Sequence, residues 1–204
     1  MTHLARIKTS KAISELGLEK GKYFLVSAHR EENVDNRGNL LKILAALESI
    51  YKEFNLPVIV STHPRTRKRL ETLGKTNISD GIRFLKPFGF HEYNWLQMDA
   101  RCVISDSGTI CEESAILDFP AVTIRNAMER PEAIDAGIII MTCFELEVIV
   151  SSIRMQISED NKRMPRRIPA DYEIENTSYR VVKLIMGTAK LSHLWDNIKF
   201  NDLA

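Results

Sequence analysis

Six short, continuously apolar runs divide the chain: Tyr23–Ser27, Val58–Ser61, Ile82–Leu85, Cys102–Ser105, Ala121–Ile124 and Gly137–Met141. Strict alternation of apolar and polar residues would mark strands with one wet face. Unbroken Val/Ile/Leu runs instead mark strands covered on both faces. Helical spacing fills the gaps. Leu40, Leu41, Leu44, Leu47, Ile50 and Tyr51 recur at three- and four-residue steps behind Asn39, the expected N-cap. Further helices are expected over Arg65–Leu73, Tyr93–Asp99, Ile110–Leu117, Phe144–Ser158 and Tyr179–Ile185. Strands separated by helices throughout require parallel βαβ units with right-handed crossovers. The expected fold is therefore α/β, a Rossmann-like doubly wound parallel sheet of six strands. Residues 1–20 are expected to form a leading helix or linker. A connector holding Pro165, Arg166, Arg167 and Pro169 leads into a C-terminal helical tail over 170–204. A chain of 204 residues buries enough surface to fold as one domain without disulfides or a metal.

Composition removes several function classes. Lys and Arg number 28 against 27 Asp and Glu, a net charge of +1, where a dedicated nucleic-acid binder carries a basic excess. Cys102, Cys111 and Cys143 are odd in number and form no CxxC pair, so free thiols in a reducing cytoplasm are expected. No apolar run reaches the ~18 residues of a membrane span, and the N-terminus has no signal-peptide core. The glycines are scattered, with neither GxGxxG nor GxxxxGK[ST], which disfavours a dinucleotide cofactor and excludes a P-loop. His29, His63, Glu112 and Glu113 lack metal-ligand spacing, so no metal is expected. The basic stretch Lys162–Arg167 reads as a solvated connector.

Ligands of open α/β sheets sit at the carboxyl ends of the strands, and polar residues gather there after five of the six runs. The first run is followed by His29-Arg30-Glu31-Glu32-Asn33, the second by His63-Pro64-Arg65 and the third by Pro87-Phe88-Gly89-Phe90-His91. The fourth leads into Asp106-Ser107-Gly108-Thr109 and then Glu112-Glu113. After the fifth come Arg125 and Glu129-Arg130-Pro131-Glu132. A small turn at a helix start offers the N–H groups of Gly108 and Thr109 and the Ser107 hydroxyl to a phosphate, helped by the helix dipole. The plainer reading makes Ser107 an N-cap and Glu113 a first-turn carboxylate. Arg30 suits a diphosphate through charge-assisted hydrogen bonds, and His29 suits a shared contact or a proton transfer. The plainer reading of His63 is a helix start.

Together, His29-Arg30-Glu31-Glu32-Asn33, Ser105-Asp106-Ser107-Gly108 with Glu112-Glu113, and Glu129-Arg130-Pro131-Glu132-Ala133 followed by Gly137 resemble the C-terminal half of the non-hydrolysing UDP-N-acetylglucosamine 2-epimerase family. The form His29–Asp35 and the tail Tyr172–Ile185 look most like the branch acting on 6-deoxy sugars, which makes UDP-N-acetyl-L-fucosamine for capsules and O-antigens. The resemblance spans Tyr23 to Ile185. It implies the C-terminal half of a glycosyltransferase-B-type two-domain fold, with UDP or a UDP-N-acetylhexosamine in the cleft. By motif, Arg30, Ser107, Gly108 and Thr109 would hold the diphosphate and Glu113 the ribose. The Pro87-Phe88-Gly89-Phe90 loop would hold the uracil, Arg130 would lie on the substrate, and His29 would be the catalytic-cleft histidine near the departing phosphate. Thr109 departs from the second glycine that many members carry. The chemistry implied is C2 inversion by elimination of UDP and re-addition, with no cofactor. Its carboxylates would come from an N-terminal domain outside this chain, and an uncovered inter-domain face admits a homodimer. A glycosyltransferase half, separable by acceptor dependence, and a non-catalytic UDP-binding protein are the alternatives.

Overall fold

The computed structural model describes residues 3–74, 78–127, 131–162 and 168–191. Six strands form one sheet: β1 (Phe24–Ser27), β2 (Val58–Ser61), β3 (Ile82–Leu85), β4 (Cys102–Ser105), β5 (Ala121–Thr123) and β6 (Ile139–Met141). Their order is β3-β2-β1-β4-β5-β6, and all five pairings are parallel. The order reverses between β1 and β4, which opens a crevice at their carboxyl ends. β1 and β4 are buried throughout, whereas the edge strands β3 and β6 are only partly covered.

The helices are α1 (Leu4–Ile7), α2 (Ala12–Glu15), α3 (Glu31–Val34), α4 (Arg37–Phe54), α5 (Pro64–Leu73), α6 (Phe90–Asp99), α7 (Ile110–Leu117), α8 (Glu132–Asp135), α9 (Leu146–Asn161) and α10 (Thr177–Thr188). On one face of the sheet, Phe24, Val26, Val58, Val60 and Ile104 pack against Leu44 and Leu47 of α4 and Ile149 and Ile153 of α9. Each such side chain contributes about 1.5–3 kcal/mol by leaving water. Side chains alternate along a strand, so Leu25, Ile59 and Val103 face the other way, where Leu96 of α6 and Cys111 and Ala115 of α7 are buried.

Several expected boundaries move. The N-cap of α4 is Asn36 rather than Asn39, because the Asn36 side chain accepts the Asn39 N–H at 3.1 Å. The Asn39 amide instead donates to the Glu32 carbonyl, tying α4 to α3. Leu41, placed on the apolar stripe by spacing, is exposed, and Ile43 and Ala46 are buried in its place. Helix α6 begins at Phe90 rather than Tyr93, because the Glu92 carboxylate takes the Gly89 N–H at 3.1 Å. The last strand loses Gly137, whose φ of +69° turns the chain out of α8.

Residues 170–204 form a separate compact unit from Met1–Pro169. Its described part holds a 3-10 turn at Ala170–Tyr172 and α10, whose residues are all exposed or nearly so. The basic stretch beyond Lys162, through Arg167, lies outside the described residues. None of the three cysteines forms a disulfide; Cys102 and Cys111 are buried and Cys143 is half-buried. Among the described residues, no helix is long and apolar enough to cross a membrane.

Candidate functional site

The crevice between β1 and β4 is organised by Asp106, the residue after β4. Its side chain is fully buried, and one carboxylate oxygen accepts the backbone N–H groups of His29 and Arg30 at 3.0 and 2.9 Å and the Asn33 amide at 2.8 Å. The other oxygen lies 3.5 Å from His29 Nδ1, which also sits 3.3 Å from Ser27 Oγ. The Asp106 N–H continues the β1–β4 ladder by donating to the Ser27 carbonyl. One carboxylate thus fixes the loop carrying His29 and Arg30, leaving the His29 ring exposed at the crevice mouth. Arg30 is half-buried, with Glu32 3.2 Å away.

On its far side the same loop is clamped by α5. Asp35 accepts from Arg65 Nη2 at 2.7 Å and from Arg69 Nε at 2.9 Å, and Arg65 also pairs with Glu31. The two guanidinium groups hold the Asp35 carboxyl down at about 2. Helix α5 starts at His63 followed by Pro64, with His63 Nδ1 accepting the Arg65 N–H, so the helix-start reading of His63 holds. Its ring nonetheless faces His29, with centroids 6.3 Å apart.

A cavity of about 250 Å³ opens here, lined by Ser27, His29, Ser61, His63, Pro87, Phe88, Phe90, Tyr93, Asn94 and Glu113. Five residues singled out from sequence, His29, Pro87, Phe88, Phe90 and Glu113, thereby meet around one space. A second hollow of about 410 Å³ shares Phe90, Asn94 and Glu113 and extends along α1 and α7. Arg30, Ser107, Gly108 and Thr109 do not line the first cavity; the turn before α7 reaches it through the Thr109–Glu113 hydrogen bond. Arg130 falls outside the described residues.

The turn before α7 is built from hydroxyl groups. The Ser107 N–H donates to Ser105 Oγ at 3.0 Å, and Ser107 Oγ accepts the Thr109 N–H at 3.3 Å. Gly108 has no left-handed φ; a Cβ there would meet Arg125 Nη1 at 3.5 Å. A nearly fully buried guanidinium therefore sits against the turn where α7 begins. Thr109 has φ −83°, ordinary for any L-residue, so its departure from glycine introduces no backbone strain.

Glu113 is held from both sides. The Thr109 hydroxyl donates to Oε1 at 2.9 Å and the Gln97 amide donates to Oε2 at 2.7 Å. Burial raises the Glu113 pKa, and these two donors oppose the shift. Burial also pushes Tyr93 up, with its hydroxyl bonded to Ser27 and with Glu113 and Asp106 nearby.

Ser27, His63, Tyr93, Gln97, Asp106 and Arg125 thus belong to the site although sequence reasoning assigned them no binding role. A partial signal existed: Phe90, Tyr93, Asn94 and Gln97 share one face of α6 by helical spacing. The arrangement sets a fixed carboxylate, an aromatic loop and the exposed His29 ring around one cavity, with a hydroxyl-rich turn bonded to that carboxylate. Among the described residues, no cluster of three or more His, Cys, Asp or Glu is placed to hold a metal ion.

The comparisons with known proteins agree with this fold. A family profile described as UDP-N-acetylglucosamine 2-epimerase matches residues 1–186. The UDP-N-acetylglucosamine 2-epimerase of Methanococcus maripaludis is 34% identical over 186 residues, covering 90% of this chain and 49% of the relative. A solved UDP-N-acetylglucosamine 2-epimerase from Rickettsia bellii superposes with a TM-score of 0.79 at 38% identity, covering 94% of this chain and 51% of the other. The Methanocaldococcus jannaschii enzyme, solved with UDP-GlcNAc and UDP, gives 0.78 at 27% identity, with 91% and 51% coverage. The chain spans about half the length of the curated relatives it matches. By profile, identity and fold, this chain belongs to the UDP-N-acetylglucosamine 2-epimerase family.

Proposed function

We propose that this chain is the UDP-binding half of a UDP-N-acetylhexosamine 2-epimerase, completed by an N-terminal domain that supplies the acid–base carboxylates. The observation that carries this reading is the meeting of His29, Pro87, Phe88, Phe90 and Glu113 around one cavity beside the Ser107–Thr109 turn. In this assignment the diphosphate lies against Arg30, the Ser107 hydroxyl and the start of α7, above the buried Arg125. The ribose hydroxyls donate to Glu113, and the uracil enters the Pro87–Phe90 loop. Arg130 is assigned to the substrate on motif resemblance alone.

The reaction is elimination across the C1–C2 bond of the sugar followed by re-addition. The C1–O bond to UDP breaks as the C2 proton leaves, giving a 2-acetamidoglycal; UDP then returns to C1 as a proton returns to the opposite face of C2. In the elimination, charge grows on the departing β-phosphate. Oriented N–H groups and Arg30 stabilise that charge best when they are fixed beforehand. His29, whose backbone N–H is fixed by Asp106, stands where it can donate to the same oxygen. The C2 proton transfers need carboxylates aimed at the sugar, and this half has none assigned to that task. The form of the His29–Asp35 motif supports a 6-deoxy N-acetylhexosamine within the substrate class.

Isothermal titration of the 204-residue chain tests the reading. Saturable binding of UDP, weaker binding of UMP, and no C2 inversion of a UDP-N-acetylhexosamine by the chain alone are the expected results. Absence of UDP binding, or turnover by the isolated chain, overturns it.

A further inference from the structure

Position 109 places a hydroxyl between the turn before α7 and the first turn of that helix. The Thr109 hydroxyl lies 3.0 Å from Ser107 Oγ and 2.9 Å from Glu113 Oε1. An ionised carboxylate only accepts, so the Thr109 O–H donates to Glu113 and its oxygen is left to accept from the Ser107 O–H. The chain of protons runs Ser107 to Thr109 to Glu113. On the other carboxylate oxygen, Gln97 donates at 2.7 Å from a fully buried amide on α6. Glu113 is therefore gripped once on each oxygen, which fixes the plane of its carboxylate and leaves one lone pair on each oxygen for a ligand. Two adjacent acceptors in a fixed plane suit two adjacent hydroxyls, the cis-diol of a ribose, better than the single hydroxyl of a 2′-deoxyribose.

We propose that Thr109 is a positioning residue that couples the phosphate-side Ser107 to the ribose-side Glu113 and makes the site select ribonucleoside over deoxyribonucleoside diphosphates. The proposal rests on the nucleotide-site reading above. Binding the diphosphate turns the Ser107 O–H from Thr109 to the phosphate, while the Thr109 N–H still donates to Ser107 Oγ and its O–H to Glu113, so one residue keeps both groups in register. A glycine at 109 keeps the turn but leaves Oε1 free to swing, and the second hydroxyl of the diol then loses its partner.

The test is calorimetric titration of the whole chain with UDP and with 2′-deoxy-UDP, using wild type, Thr109→Val, Thr109→Gly and Thr109→Ser. Valine keeps the branched shape and the backbone preference, so it separates the hydroxyl from chain flexibility. Thr109 is exposed, and melting temperatures of the variants are expected to match wild type. The expected result is a loss of UDP affinity of about five- to tenfold in the Val and Gly variants, the size of roughly one net hydrogen bond. The loss for 2′-deoxy-UDP is expected to be smaller, so the preference for UDP shrinks; serine restores both. Wild-type binding of UDP with an unchanged UDP preference in Thr109→Val overturns the coupling and leaves the nucleotide site standing. Failure of wild type to bind UDP overturns the site reading and the coupling with it.

Discussion

Replacing Asp106 by alanine should be among the most damaging single changes in this chain. The carboxylate has no exposed surface and receives the His29 and Arg30 N–H groups and the Asn33 amide. A hydrogen bond to a charged acceptor is worth about 1.5–3 kcal/mol, and a donor left unsatisfied in the interior costs about as much. The three donors do not suffer equally. His29 is exposed and Arg30 half-exposed, so water can reach their N–H groups, whereas Asn33 is only 2% exposed and its amide is stranded. The net loss is put at about 4 kcal/mol, a large share of the ~5–15 kcal/mol that holds a typical domain together. In urea unfolding with a slope of about 2 kcal/mol per molar, the midpoint falls by about 2 M at unchanged slope. Asp106→Asn should cost only about 1–2 kcal/mol, since its oxygen can serve the three donors while its NH₂ group turns toward His29. A midpoint for Asp106→Ala within about 0.5 M of wild type would refute the claim that this carboxylate holds the loop.

Three further expectations follow from separate contacts. A Cβ at Gly81 would run into the Tyr51 ring, so Gly81→Ala should lose about 1–3 kcal/mol by overpacking, with partial recovery in Gly81→Ala/Tyr51→Leu; thermal melts of the two variants check this. The Asp35 carboxyl is held at about 2 against its usual 3.8 by Arg65 and Arg69. Its stabilisation is therefore complete above 3.8 and lost as pH falls toward about 2. Asp35→Asn should flatten the acid limb of the stability–pH curve, and added salt should shrink the difference because the pair is exposed. The Glu113 pKa is raised by burial above its usual 4.5, so the folded state holds its proton more tightly and stability falls as pH rises from 4.5 through the raised value. The gap between wild type and Glu113→Gln, followed by denaturant unfolding across that window, should move in favour of the glutamine variant.

What the sequence made legible was periodic or bounded. β2, β3 and β4 end where the apolar runs end, because Pro57, Gly81 and the polar turns after them leave no alternative register. The one-turn helices α3 and α8 escaped, since four residues show no period. The boundary of α4 escaped for a different reason: two asparagines three residues apart both suit a cap, and only the contact of Asn39 with Glu32 decides between them. In the site, His29 and Ser107 were visible because each sits just beyond a strand, and Glu113 because it falls in the first turn of the helix that follows β4. Asp106 was visible as part of a motif but not as a clamp, because its partners lie more than 70 residues away in sequence. Arg125 and Gln97 were hidden in the same way. Their roles arise from burial against Gly108 and Glu113, which no local pattern records.

The proposed function puts a uridine diphosphate in the crevice between β1 and β4 of this chain alone. Amide chemical-shift mapping of the isotope-labelled chain during titration with UDP tests it most directly. Saturable shifts are expected at His29, Arg30, Phe88, Phe90, Ser107–Thr109 and Glu113, with none at Ser49, Val148 and Ser151 on the outer groove between α4 and α9. Shifts confined to that outer groove, or no saturable shift at the α7 turn, would contradict it.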